Sequence, residues 1–398
     1  MSSYHTLCDE NPCAVCPTLV GRMWEPGVER IILTRRCQGC IQRMRALGCR
    51  VSGVYAFIDA VSLEVPRILL PLLAQGKCAA AIEPDVRVQT TMDIATNSVG
   101  ARLCNASGYT GRGIVMAIAD TGIYPHADFT YPHSRIVRFI DLIGGRTTPY
   151  DDNGHGTFCA GCAAGSGGAS QGRYAGVAPE AELVVIKAMD AAGGGMASDV
   201  LGAMQWVIDH HRAYRIRVFS LSLGAVVSGF MIDAMARGAR RLWEEGVIVV
   251  AAAGNNGPRA GSITSPGTAR DVITVGAVDD RTDALIVPDF SSRGPVFGAK
   301  KPDLVAPGVA LNATQADIAY LSGAPQESGY TTMTGTSVAC PIVAGCCALL
   351  LQAHPDWPPE RVRQALLSSA LAIDADENAS GAGMIDIARA LNLRAETA

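Results

Sequence analysis

Residues 114–122 read Ile114-Val115-Met116-Ala117-Ile118-Ala119-Asp120-Thr121-Gly122. Six apolar residues run without interruption between Gly113 and a Thr-Gly turn, and three of them are β-branched. Side chains alternate across a strand, so a run with no polar position predicts a strand buried on both faces. Four further, mostly apolar runs, at 183–188, 218–223, 247–253 and 272–277, also read as buried strands, with Lys187, Ser220, Ser222 and Thr274 as their polar positions. Helical patterns fall between and after them, at 199–211, 231–245, 336–353 and 359–370, the last opened by Pro358 and Pro359. This alternation predicts an α/β fold, a mostly parallel sheet with helices on both faces. Ligands of such sheets bind beyond the carboxyl ends of the strands, where Asp120 stands.

Outward from this core, the chain divides near residues 89–112, a polar, Gly/Thr-rich stretch. Before it, strand, helix, strand pair, helix and strand are expected at 29–35, 41–47, 50–65, 66–75 and 78–88, the order of a small ferredoxin-like α+β unit. The expected domains are residues 1–92 and 93–398.

Composition excludes several roles. Thirty-three Lys and Arg against 37 Asp and Glu give a net charge of −4 with no basic block, so the footprint of a nucleic-acid binder is missing. The longest apolar runs fall short of the ~18–20 residues that span a bilayer, so no membrane segment is expected. Met1 to Cys8 lacks the charged start and apolar core of a secretory signal. Thirteen cysteines cannot all pair internally. Together these lead to the expectation of a cytoplasmic protein with mostly free thiols.

Three segments carry chemistry. Asp120 ends the first strand. Asn153-Gly154-His155-Gly156-Thr157 places a histidine between glycines at a helix start, and Gly335-Thr336-Ser337-Val338-Ala339-Cys340-Pro341 puts a serine at the start of the longest apolar helix. Acyl transfer needs a base to activate the serine, and His155 supplies one; a carboxylate must hold that imidazole, and Asp120 suits the task. Asn255, in Ala251-Ala252-Ala253-Gly254-Asn255, could donate to an oxyanion beside the Ser337 backbone N–H. The run Ser220-Leu221-Ser222-Leu223-Gly224 offers an edge to an extended peptide, pointing to peptide or protein substrates.

In order and spacing these motifs resemble the subtilisin-like (subtilase) serine peptidase family, from about residue 93 to the closing segment Gly381 to Asp386. The resemblance implies an endopeptidase with Asp120, His155 and Ser337 as its triad, and needing no cofactor. It implies that Ser222, Leu223 and Gly224, with Ala252, Ala253 and Gly254, flank the pocket for the residue before the scissile bond. The N-terminal unit resembles the family's prosegment, an intramolecular inhibitor whose end, near Val88 to Met92, lies in the active site and is cut there. Two departures are noted, Cys340 within the serine motif and Phe158 after His-Gly-Thr. The loop 165–171 has neither Asp nor Asn, so the strong calcium site of secreted relatives is expected to be missing, while a weaker calcium site stays open.

The remaining candidates are cysteines, histidines and acids. Cys13-x-x-Cys16 and Cys37-x-x-Cys40 have a spacing open to zinc, to redox pairing or to separate thiols. Cys159, one turn beyond His155, reads as a small core residue or a reactive thiol. Cys346 and Cys347 read as buried, His210 and His211 as surface or capping residues, and Asp151 and Asp152 as loop acids with little influence on His155.

Overall fold

The computed structural model describes residues 14–15, 27–35, 40–75, 79–85, 87–89, 98–226, 233–281, 284–318 and 329–393. In the N-terminal unit, β1 (Ala14–Val15), β2 (Val28–Arg35), α1 (Cys40–Ala46), β3 (Arg50–Tyr55), β4 (Ala60–Pro66), α2 (Leu70–Gln75) and β5 (Ala79–Pro84) build one sheet. Its order is β1-β5-β2-β4-β3, antiparallel apart from the β1–β5 pair. Without β1 this is the expected ferredoxin-like order; β1 is an added edge strand. The expected closing strand over 78–88 is broken. After β5, the short β6 (Arg87–Gln89) leaves this sheet.

Alternation along β2 explains how this unit is held. Ile31 and Leu33 join its own small core with Val61, Leu63 and Leu70. Ile32, with Tyr55, Ile58 and Ala60, packs instead into the core of the second domain.

That domain is built on seven parallel strands: β7 (Val115–Asp120), β8 (Ile136–Asp141), β9 (Glu182–Lys187), β11 (Ile216–Leu221), β12 (Ile248–Ala252), β13 (Ile273–Val278) and β14 (Leu304–Pro307). They run in the order β14-β13-β12-β11-β7-β9-β8. The intervening β10 (Gly194–Met196) lies outside this sheet and pairs with β6. β8 and β14 escape the sequence reading. β8 is an edge strand with polar Arg138 and Asp141, and β14 is only four residues long.

Met116, Ile118, Val218, Val250 and Val275 face α3 (His155–Ala164) and α6 (Thr336–Ala353). Val115, Ala117, Val184, Phe219 and Val249 face α4 (Ala197–Tyr214) and α5 (Ala234–Glu244). The mostly apolar character of the central strands is thus explained by helices on both faces. A fully buried side chain of this kind contributes about 1.5–3 kcal/mol. Helix α6 is long and apolar enough to cross a membrane by length and composition, yet it lies buried between the sheet and α3.

Candidate active site

Asp120 is the last residue of β7, and the chain turns at Gly122, whose φ of +131° suits glycine. A Cβ there would lie 2.2 Å from the Tyr150 carbonyl, and a Cβ at Gly156 would lie 2.2 Å from the Gly122 carbonyl. The two motif glycines therefore let the Asp120 turn and the start of α3 touch backbone to backbone.

The first three N–H groups of α3 have no helical acceptor, and each is taken by a side chain from outside the helix. His155 N donates to Asn153 Oδ1 at 3.2 Å, Gly156 N to Thr121 Oγ1 at 2.8 Å, and Thr157 N to Asp151 Oδ2 at 2.8 Å. Asp151 also accepts from Thr157 Oγ1, Thr121 Oγ1, Asn153 N and Gly154 N. It is fully buried. The expectation of a loop acid is corrected: Asp151 is the bracket around which the histidine turn forms. Its signal in the sequence was an acid two to six residues before the donors it holds.

With α3 fixed, His155 Nδ1 lies 2.8 Å from Asp120 Oδ1, and both residues are fully buried. The carboxylate accepts, so Nδ1 carries the proton and Nε2 is the basic nitrogen. Burial, the largest single influence, pulls the imidazole's pKa down, but the charge of Asp120, Cys159 beside it and the hydrogen bonds to both together hold it well above the usual histidine value.

Ser337 is the second residue of α6 and almost wholly buried. Four residues on, Pro341 has no N–H to give to the Ser337 carbonyl. Cys159 fills the gap: its Sγ lies 3.4 Å from Ser337 O, and 3.6 and 3.8 Å from the two ring nitrogens of His155. Cys159 thus links the histidine helix to the serine helix. Burial pushes its thiol up to about 12, so it is a neutral donor, not a thiolate.

Asn255 is tied to the same helix start. Its Oδ1 accepts from Thr336 N and Thr336 Oγ1, both at 3.0 Å, while Thr336 Oγ1 also lies 3.1 Å from Gly254 N. With the amide oxygen pinned on α6, its nitrogen is assigned to donation.

The predicted pocket walls come together through a third segment. A Cβ at Gly224 or at Gly254 (φ +100°) would meet Thr264 Oγ1 at 2.4 and 2.6 Å. Thr264 N and Oγ1 donate to Ala253 O at 2.9 and 3.2 Å, and Ala225 exchanges backbone bonds with Ser265. Ser222 and Leu223 are buried on one wall, Ala252 and Ala253 on the other. Nearby, β6 and β10 pair antiparallel, Gln89 with Gly194 and Val88 with Gly195. The end of the N-terminal unit is thereby a strand added to an edge of the second domain.

The metal candidates fare differently. Cys13, Cys16 and Cys37 lie outside the described residues, while Cys40 is buried in the N-terminal core at the start of α1. In the loop 165–171, Gly167 N and Ala169 N donate to the Asp128 carboxylate at 2.9 and 3.1 Å, with Tyr330 OH at 2.9 Å. A calcium ion takes six to eight oxygen ligands. Among the described residues this loop presents two N–H donors to Asp128. Of the paired histidines, His211 is buried and bonds to Ile208 O, and His210 stacks on Trp206.

The sequence profile of the Subtilase family matches residues 111–383. Serine protease AprX of Bacillus subtilis (strain 168) is 38% identical over 348 residues, 83% of this chain and 78% of that one. Subtilisin Savinase of Lederbergia lenta is 32% identical over 288 residues, 72% of this chain and 94% of that one. The crystal structure of fervidolysin from Fervidobacterium pennivorans, described as a keratinolytic enzyme related to subtilisin, superimposes with a TM-score of 0.74 at 20% identity. That match covers 98% of this chain, which spans 65% of fervidolysin, and it bears on the fold alone. The chain belongs to the Subtilase family and is a subtilisin-like serine peptidase.

Proposed function

We propose that the chain is an endopeptidase that hydrolyses peptide bonds through an acyl-enzyme on Ser337, and that it is made as a self-processed zymogen. The observation that carries this reading is the buried Asp120–His155 hydrogen bond, with Cys159 joining that imidazole to the backbone of Ser337. Ser337 Oγ attacks the scissile carbonyl as His155 Nε2 takes its proton. Asp120 stabilises the imidazolium without being protonated. Asn255 Nδ2 and the Ser337 N–H donate to the tetrahedral oxyanion. The amine leaves with the proton held by His155, and water repeats the sequence to release the acid.

Residues 1–92 act as the inhibitor and 93–398 as the enzyme. The pairing of Val88 and Gln89 along Gly195 and Gly194 supports a tail that lies in the cleft as a substrate would, with self-cleavage near Val88 to Met92. A cytoplasmic location is supported by the buried, free thiols of Cys49, Cys159, Cys162, Cys340, Cys346 and Cys347. No cofactor enters the reaction.

The test is Ser337→Ala. It abolishes hydrolysis of a peptide substrate and leaves the purified chain at full length; normal activity in that variant would refute the assignment.

A further inference from the structure

We propose that Lys187 is a positioning residue for the reaction, its ammonium tying the turn after Asp120 to the turn before His155. The inference rests on the triad reading above. Lys187 ends β9 and pairs in register with Asp120 on β7. It is only 1% exposed. An ammonium has three N–H donors, and here each has an acceptor: Thr121 O at 2.6 Å, Asp152 Oδ1 at 2.6 Å and Met189 O at 2.9 Å. The ring of Tyr150, from the same histidine loop, stands 5.1 Å from Nζ.

The three acceptors belong to three parts of the site. Thr121 follows the triad acid, and its own N–H donates to Asp120 Oδ1 at 2.7 Å. Asp152 lies beside Asp151, the bracket of the histidine turn. Met189 leads into the turn at Asp190, whose Oδ1 accepts from Ala192 N and Gly194 N and so shapes the edge that β6 occupies. A lysine is among the residues least often buried, and an apolar chain of similar length would pack there without the cost of desolvating a charge. What a methionine could not do is hold the turns after β7 and β9 and the loop before α3 at fixed distances. The reacting groups need their geometry to within a fraction of an ångström, and an error of ~1 Å can cost ~100-fold in rate.

Lys187→Met in the full-length, self-processing chain tests this. Expected are a ~10–100-fold fall in kcat with KM changed less than ~3-fold, and a shift of the acid limb of kcat/KM to lower pH. The shift follows because the charge and hydrogen bond of Asp120 are among the influences that hold the His155 pKa up, and a displaced Asp120 supplies less of both. A lysine that only stabilised the fold would lower the melting temperature and leave that limb in place. If Lys187→Met is not recovered folded, Asp152→Ala decides instead: it removes one acceptor from a partly exposed side chain and should lower kcat ~3–10-fold with the same pH shift. A folded variant with kcat within ~2-fold of wild type and an unmoved acid limb overturns the proposal. Wild-type activity that did not depend on Ser337 would strike the triad reading instead, so the two failures are told apart.

Discussion

Helix α3 and the helices α4 and α5 solve the same problem in different ways. At the start of α3, the free N–H groups are satisfied by Asn153, Thr121 and Asp151, all within the catalytic domain. At α4, Ser198 N and Oγ donate to Asp85 at 2.8 and 2.6 Å, and at α5, Ala234 N donates to Glu83 Oε1 at 3.0 Å. Both carboxylates come from the N-terminal unit and are buried. The helix that carries the base is therefore satisfied within its own domain, whereas α4 and α5, although Asp199 and Asp233 of their own domain cap them, each gain a further acceptor from the N-terminal unit. Catalytic geometry and docking of the N-terminal unit are held by separate sets of bonds, and each should yield to its own mutations.

The larger effect is expected on the catalytic side. Asn255→Ala should lower kcat by about 10²–10³ with KM nearly unchanged, a magnitude carried over from subtilisin. It should leave inhibition by residues 1–92 intact. Steady-state kinetics on the processed enzyme would show it, and a loss confined to KM would mean that Asn255 binds substrate.

A smaller effect is expected on the docking side. Glu83→Ala removes an acceptor from a buried N–H and should weaken inhibition by residues 1–92 about 10–30-fold, with kcat untouched. The pH dependence sharpens the comparison. Burial first, and the charge of Asp233 second, push the docked Glu83 carboxyl up to about 9. Burial also raises Asp85. A group raised on docking contributes fully below its free value and loses that contribution as pH rises through its docked value. Inhibition should thus weaken from the ordinary carboxylate range up to about pH 9 and then level off, and Glu83→Gln should flatten the profile. An inhibition constant that stayed level, or tightened, across this window would break the account of α5.

Much of this arrangement was legible in the sequence because it depends on local rules. Mostly apolar runs announced two-sided burial, Thr121-Gly122 announced a turn after Asp120, and the glycines around His155 announced the start of a helix. The ferredoxin-like order followed from alternation in residues 29–75. What escaped depends on partners distant in sequence. Lys187 reads as an ordinary charge at a strand end, because its three acceptors are known only once β7 and β9 are paired. Asp151 is the exception, since its donors Asn153, Gly154 and Thr157 are two to six residues away and only Thr121, 30 residues before it, is distant. Glu83 and Asp85 read as the polar end of a strand, and their partners lie 151 and 113 residues away. The departure of β6 from the N-terminal sheet was equally hidden, since 78–88 has the composition of a single strand.

The claim on which all of this rests is that one buried constellation makes Ser337 a nucleophile once the N-terminal unit has been cut away. Incubation of the purified chain with a fluorophosphonate, followed by intact mass and peptide mapping, tests it most directly. The account predicts a cut near Val88 to Met92 and a single adduct, on Ser337, which is lost in His155→Ala. An adduct on another residue, or a chain that cleaves itself yet takes no label at Ser337, would contradict it.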